Sequence, residues 1–441
     1  MSIASWLMPA ISQRLLARDR LLKQRARLER KRAARGERHQ VLYFHQVDDP
    51  YSALTANILE ALLARYDVDL VAHVVGPPSD SAAPERERLV AYSRVDAERL
   101  ARHHGLAFSD PGAQPSAQRV SALTAQLVGA CQARRFHEFS GLLCKGLWRD
   151  ESVVPQGLQS TLPTPATPAE VDAHLAAANA LRQRLGHYLG ATFYYGGEWY
   201  WGIDRLHHLE RRLQALGVAR PGVQGLMFAP DQDLRDAVPI IHPEPIEFFF
   251  SLRSPYSAIV AERVFKLGQL TGAPVRLRYV LPMVMRGLSV PRIKRMYIAL
   301  DAAREAFERG IPFGRLNDPV GRPTERGLAL IPYAERMGEG QRYVLSFLRG
   351  VWSEGLDAGS DRGLRTIVER AGLSWPEARH ALKEDGWRRV AEENRVAMLD
   401  LGLWGVPSFR VGSTAVWGQD RLWAAQEALL STSAPLESTE S

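Results

Sequence analysis

Hydrophobic and polar positions change period several times along the chain. Val41–His45 is a short apolar run and predicts a strand. Asp48-Asp49-Pro50-Tyr51 then opens an amphipathic helix that runs to about Ala64. Val68–Val75 predicts a second strand, closed by Gly76-Pro77-Pro78. Helical periodicity fills Glu85 to Leu147, and Pro155, Pro163, Pro165 and Pro168 mark a loop. A helix from about Ala169 to Leu185 leads to two short strands, Ala191–Tyr195 and Trp199–Trp201, around Gly196-Gly197. A last helix covers Asp204 to Leu216. Prolines 221, 230, 239, 243 and 245 punctuate the stretch that follows, which reads as a linker over 218–244.

The pattern then begins again. Pro50-Tyr51-Ser52 recurs as Pro255-Tyr256-Ser257, 205 positions on. Leu147-Trp148 is echoed by Val351-Trp352 at an offset of 204. Trp201-Gly202-Ile203-Asp204-Arg205-Leu206 matches Trp417-Gly418-Gln419-Asp420-Arg421-Leu422 at an offset of 216. Three ordered matches at nearly constant offset imply a duplicated domain. The jump in offset implies that the first copy lacks about one helix before its final hairpin. Each copy runs strand, helix, strand, long helical segment, strand, strand, helix. A right-handed strand–helix–strand unit extended by an antiparallel hairpin gives an α/β fold of thioredoxin-like order. The expected architecture is two tandem thioredoxin-like domains, at 41–217 and 245–430, each with an inserted helical subdomain, and a disordered tail at 431–441.

Charge modifies this picture at one end only. Formal net charge is +7, yet residues 1–40 carry 11 Lys/Arg against three acids, so the arm holds +8 and the rest of the chain −1. Leu7, Ile11, Leu15 and Leu22 recur among the arginines at helical spacing. A solvated, frayed basic helix is the first expectation for this arm. A weak contact with an anionic membrane surface through Trp6 and Leu7 is the functional alternative. Nucleic acid is not an expected partner, because no basic, aromatic-bearing fold follows. Two cysteines, Cys131 and Cys144, exclude a disulfide framework and fit a reducing, cytoplasmic compartment.

The second copy carries the chemistry. Strand Ile246–Phe250 ends at Ser251-Leu252-Arg253-Ser254-Pro255, with proline suited to the first helical position and Ser254 at the N-cap. Such a start caps a helix, and it is also a place to hold an anion such as a thiolate. Gly405-Val406-Pro407-Ser408-Phe409 places a proline before a strand, where the fold order calls for a cis bond that presents the Val406 backbone to an extended, peptide-like ligand. In Trp417-Gly418-Gln419-Asp420-Arg421, Asp420 is a cap for the last helix or, with Gln419, a receptor for an amino-acid-like head group.

Together, Phe248 to Ser257, Gly405 to Phe409 and Trp417 to Leu422 resemble the DsbA-like branch of the thioredoxin superfamily. Within it, the 2-hydroxychromene-2-carboxylate isomerases and the kappa-class glutathione transferases are most similar. The resemblance covers about residues 245–430. It implies that Ser254 holds the glutathione thiol as a thiolate, that Val406 with Pro407 pairs with the glutathione backbone, and that Gln419 with Asp420 grips the γ-glutamyl end. The implied cofactor is glutathione. The implied activity is a glutathione-dependent isomerase or transferase acting on a small electrophilic substrate, aromatic in the isomerase version, and a homodimer is compatible with it. Ser251 departs from the acidic residue usual in the isomerases, and the loop Arg286 to Pro291 lacks their asparagine. Lys294, Arg295 and Tyr297 follow on a helix, read as a solvated face near the cleft.

The first copy has Asp49 in the place of Ser254 and Ala191 in the place of Pro407, so it reads as a degenerate copy. A DsbA-like disulfide oxidoreductase is the enzyme alternative, but its Cys-x-x-Cys is missing and the second copy holds no cysteine. A non-catalytic binding or scaffold protein is the other alternative. There is no phosphate-binding glycine loop. No metal site is expected, and a serine triad at Ser254 would depend on His380 alone.

Overall fold

In the computed structural model the described residues are 3–149, 157, 160–231, 234 and 237–431. The side chain of Trp6, Pro155 and the tail after residue 431 lie outside them. The described residues form two compact units. A C-terminal unit comprises 3–22, 231–290 and 298–431, and an N-terminal unit comprises 23–230 and 291–297.

The arm is two helices, α1 (Ile3–Leu16) and α2 (Arg18–Ala34). The frayed, solvated helix expected there is found only in part. Ser12 of α1 is buried in the C-terminal unit, whereas α2 has no buried residue and pins Arg25 to Glu198 of the N-terminal unit through two bonds of 2.7 and 2.8 Å.

The N-terminal unit continues with β1 (Gln40–His45), α3 (Pro50–Ala56), α4 (Leu59–Arg65), β2 (Asp69–Val74), α5 (Arg86–His104), α6 (Ala117–Gln132), α7 (Phe136–Trp148), α8 (Pro168–Leu185), β3 (Thr192–Tyr195), β4 (Glu198–Trp201) and α9 (Leu206–Ala215). The helix expected to run to Ala64 is broken, because Asn57 turns its amide onto the Ala53 carbonyl and ends α3.

The C-terminal unit holds β5 (Ile246–Phe250), α10 (Pro255–Thr271), β6 (Val275–Tyr279), the body of α11 (Arg292–Glu308), α12 (Arg322–Ala329), α13 (Ile331–Arg336), α14 (Gly340–Trp352), α15 (Asp361–Arg370), α16 (Trp375–Ala381), α17 (Gly386–Asp400), β7 (Ser408–Val411), β8 (Thr414–Trp417) and α18 (Leu422–Ser431). Strand β5 is buried at every position, as a central strand covered on both faces must be.

Each unit has one four-stranded mixed sheet, in the order β2-β1-β3-β4 and β6-β5-β7-β8. The first two strands of each are parallel and the remaining pairs antiparallel. The registers coincide as well. Val41 faces Leu70 as Ile246 faces Val275, and Phe44 faces Thr192 as Phe249 faces Ser408. Helices α7 and α14 both span 13 residues and end on the repeated tryptophan. Between that tryptophan and the hairpin the C-terminal unit carries α15, α16 and α17, where the described residues of the N-terminal unit carry α8. The difference is therefore two short helices among the described residues, not the one expected.

Candidate functional site

Ser254 caps α10 from an extended backbone (φ −92°, ψ 117°), and its Oγ accepts the Ser257 N–H at 3.1 Å. The hydroxyl proton has no acceptor among the described residues, so it can be donated to a ligand. The turn before it is held at several points. Ser254 N–H reaches the Ser251 carbonyl at 3.0 Å, and Ser251 N–H reaches Ser257 Oγ at 3.4 Å. The Leu252 carbonyl accepts from Trp352 Nε1 at 3.1 Å. Arg253 forms a two-pronged ion pair with Asp318, both distances 2.7 Å. At the second position of α10, Tyr256 donates to Asp301 at 2.7 Å, and Arg304 closes on the same carboxylate at 2.5 Å.

Register brings the second predicted element to this turn. Because Phe249 faces Ser408, continuing the ladder sets Pro407 beside Phe250 and Val406 beside Ser251. The Val406–Pro407 bond is cis. Val406 is half-buried and makes no backbone hydrogen bond among the described residues. The Pro407 carbonyl is spent on Gly418 N–H at 2.9 Å, which brings the Trp-Gly turn to the same end of the sheet.

The third element is placed differently from a pair of free ligand groups. Gln419 is buried, and its amide accepts from Arg263 Nη2 at 2.5 Å and donates to Glu305 at 2.9 Å. It also donates to the half-buried Asp420 carboxylate. Arg263 sits on α10, so Gln419 ties the 3-10 turn 419–421 to that helix. Burial, aided by Arg309, pulls the Arg263 guanidinium down to about 9, against the opposing pull of Asp420 and Glu305. Asp420 lies inside this turn, which leads directly into α18.

The solvated face expected at Lys294, Arg295 and Tyr297 is corrected. Lys294 and Tyr297 are buried within the N-terminal unit, where Lys294 donates to the Ala82 carbonyl at 2.8 Å. Burial lowers this ammonium to about 8, so only Arg295 of the three is on a solvated face. His380 is exposed on α16.

The N-terminal unit has the same strand order, with different residues at the matching positions. Asp49 caps the seven-residue α3, accepting from Tyr51 N–H, Ser52 N–H and Ser52 Oγ at 3.3, 3.0 and 2.7 Å. Burial nevertheless pushes its carboxyl up to about 6. Ala191, at the position of Pro407, has φ 53°, and its carbonyl takes Gly202 N–H at 2.7 Å as Pro407 takes Gly418. Tyr51 donates to Asp96 at 2.8 Å, with Arg99 at 3.6 Å, the counterpart of Tyr256, Asp301 and Arg304. Cys144 lies 3.5 Å from His45 Nε2, and burial pushes the thiol up to about 12 and the imidazole down to about 3. Burial holds Cys131 at about 12 as well. Neither thiol is poised for exchange.

Comparison with known proteins decides the domain. A profile of the DSBA-like thioredoxin domain matches residues 245–430. This segment is a DsbA-like thioredoxin domain. It accounts for a little under half of the chain, and the chain is homologous to 2-hydroxychromene-2-carboxylate isomerases over that share. The isomerase of Pseudomonas putida is 24% identical over 192 residues, which make up 42% of this chain and 93% of the relative. That of Sphingobium xenophagum is 22% identical over 187 residues, 40% and 93% of the two chains. Among solved structures, a selenomethionine 2-hydroxychromene-2-carboxylate isomerase is similar at 24% identity and TM-score 0.37, covering 42% of this chain and 95% of its own. The cytosolic disulfide reductase DsbM of Pseudomonas aeruginosa with GSH is similar at 19% identity and TM-score 0.32, covering 43% and 98%.

Sequence reasoning did not find Asp318, Asp301 or Arg263 of the DsbA-like domain, and it used Trp352 only as a repeat marker. For Asp301 and Arg304 a signal was present, since Asp96 and Arg99 stand 205 positions earlier.

No helix among the described residues is long and apolar enough to cross a membrane.

Proposed function

We propose that the chain is a glutathione-dependent isomerase or transferase of the 2-hydroxychromene-2-carboxylate isomerase type, with its site in the DsbA-like domain. The observation that carries this reading is Ser254 at the N-cap of a 17-residue helix, its proton without an acceptor among the described residues, beside the cis Val406–Pro407 bond. These groups suit a thiol tripeptide. Ser254 Oγ can keep the Ser257 N–H and donate its proton to a thiolate sulfur, and the helix dipole favours the same charge. Val406 can offer its backbone N–H and C=O to an extended peptide. The half-buried Asp420 carboxylate, which accepts from Gln419, is the charge that suits an ammonium at this end of the sheet. Bound glutathione would supply a thiolate nucleophile that adds to an electrophilic carbon and, in the isomerase version, leaves again.

Isomerisation is favoured over transfer because the curated relatives are named isomerases. Disulfide exchange is disfavoured because the two thiols lie in the N-terminal unit and burial keeps both protonated. We further infer that the N-terminal unit is a degenerate thioredoxin-like duplicate. The shared strand order, register and Tyr-Asp-Arg contacts support this.

The test is calorimetric titration with glutathione, followed by turnover of 2-hydroxychromene-2-carboxylate. Binding to wild type is expected. Ser254→Ala should lower kcat/KM by about tenfold to a hundredfold, the size expected for one charge-assisted hydrogen bond. A wild type that binds no glutathione, or a Ser254→Ala variant that turns over normally, overturns the reading.

A further inference from the structure

Helix α1 lies outside the DsbA-like match yet packs in the C-terminal unit, against the segment that carries Asp318. Ser12 Oγ accepts the Leu316 N–H at 3.1 Å, and at 7% exposure this is an interior contact. Met8 Sδ accepts the Asp318 N–H at 3.3 Å. Pro9 is seated over Gly355, where an added Cβ would come within 2.6 Å of the proline ring, so only glycine admits the helix this closely. Arg18, at the start of α2, covers the Phe307 ring at 3.6 Å.

The other side of the same segment is tied to α14. Gly314 N–H bonds the Trp352 carbonyl at 3.0 Å and Asn317 N–H bonds the Val351 carbonyl at 2.8 Å. Phe313 stacks on the Trp352 ring, 5.8 Å between centroids and 7° between planes. The segment 313–318 is thus clamped between α1 and the end of α14. Both clamps converge on the turn before Ser254. Trp352 holds the Leu252 carbonyl, and Asp318 holds Arg253.

We propose that α1 is a positioning element of the Ser254 site: by gripping the Leu316 and Asp318 backbone it sets the Asp318 carboxylate, and through Arg253 it sets the turn that presents Ser254. The helix reaches the turn by way of Asp318, whose backbone it holds and whose carboxylate holds Arg253. The arm's first helix is in this account a part of the enzyme unit, and its basic residues are incidental to that part. Placement of Ser254 is what this adds to the glutathione reading on which it rests.

Two readouts separate the two ideas. Amide hydrogen exchange on the full chain needs no ligand. Ser12→Val and Met8→Ala together should speed exchange of the peptides covering 313–319 and 251–257 by about fivefold or more, the effect of losing a buried hydrogen bond, with 41–56 unchanged as internal reference. Asp318→Asn should speed 251–257 alone. Glutathione titration is the second readout: the α1 variant and Asp318→Asn should weaken binding by similar factors, and combining them should add little. If wild type binds no glutathione, the functional reading fails while the exchange result still stands or falls separately. Unchanged exchange at 251–257 in the α1 variant overturns the positioning role. Fully additive losses in glutathione affinity overturn it too.

Discussion

Asp49 offers a case in which two opposing effects meet at one carboxyl. Three hydrogen bonds from Ser52 and Tyr51 favour the carboxylate, and burial disfavours it. Burial wins, since the group is pushed up to about 6. An ordinary aspartate titrates at about 3.9, so the difference of about two units corresponds to about 3 kcal/mol. The sign follows from proton linkage. The folded state binds the Asp49 proton more tightly than the unfolded chain does. Stability from this group is therefore fully present below about pH 4, falls between about 4 and 6, and is low above. Asp49→Asn removes the charge and keeps a side chain that caps helices well. It gives up one or two acceptor contacts, at about 1 kcal/mol. The variant should then be less stable than wild type by about 1 kcal/mol near pH 4, and more stable by about 1–2 kcal/mol near pH 7.5. Urea unfolding of both proteins across this range, read as their difference at each pH, measures it. A difference that does not change with pH would refute the claim that burial outweighs the cap.

The other predictions concern the scaffold of the two turns. Asp301→Ala removes the buried acceptor that Tyr256 and Arg304 share, and should cost about 3–5 kcal/mol, the scale for breaking a buried pair; Asp96→Ala should do the same to the N-terminal unit, and thermal unfolding of each variant checks both. Trp352→Phe keeps the ring but loses the bond to Leu252, so it should cost about 1 kcal/mol and weaken glutathione binding, as calorimetry would show. Cys144 should resist a thiol reagent in the native protein and react once it is unfolded; rapid native labelling would contradict its burial.

The strand order and the repeat were legible because they rest on local signals. Apolar runs at Val41 and Ile246, turn prolines and the Trp-Gly pairs each act over a few residues. The Ser254 helix cap and the cis Val406–Pro407 bond were legible for the same reason, as each belongs to a short motif at a strand end. Long-range partners were not. Arg253 and Asp318 are 65 positions apart, and Met8 and Asp318 are 310 apart, with no periodicity linking them. Gln419 looked like a ligand-facing group because Gln-Asp follows Trp-Gly. The structure instead spends its amide on Arg263 and Glu305, residues whose proximity depends on how α10 and α11 pack. The basic arm misled by composition. Its charge suggested a solvated surface, while Met8, Pro9 and Ser12 pack α1 and the basic Arg18 and Arg25 are themselves engaged, on the Phe307 ring and Glu198.

The central claim is that Ser254 and the start of α10 hold glutathione as a thiolate. Its most direct test is the ultraviolet absorbance of the thiolate, followed as glutathione-loaded protein is titrated with alkali. The account predicts a thiol in wild type that ionises at least one unit below the about 8.5 of a free cysteine, and one in Ser254→Ala that returns toward that value. A bound thiol that titrates like free glutathione in both proteins would contradict it.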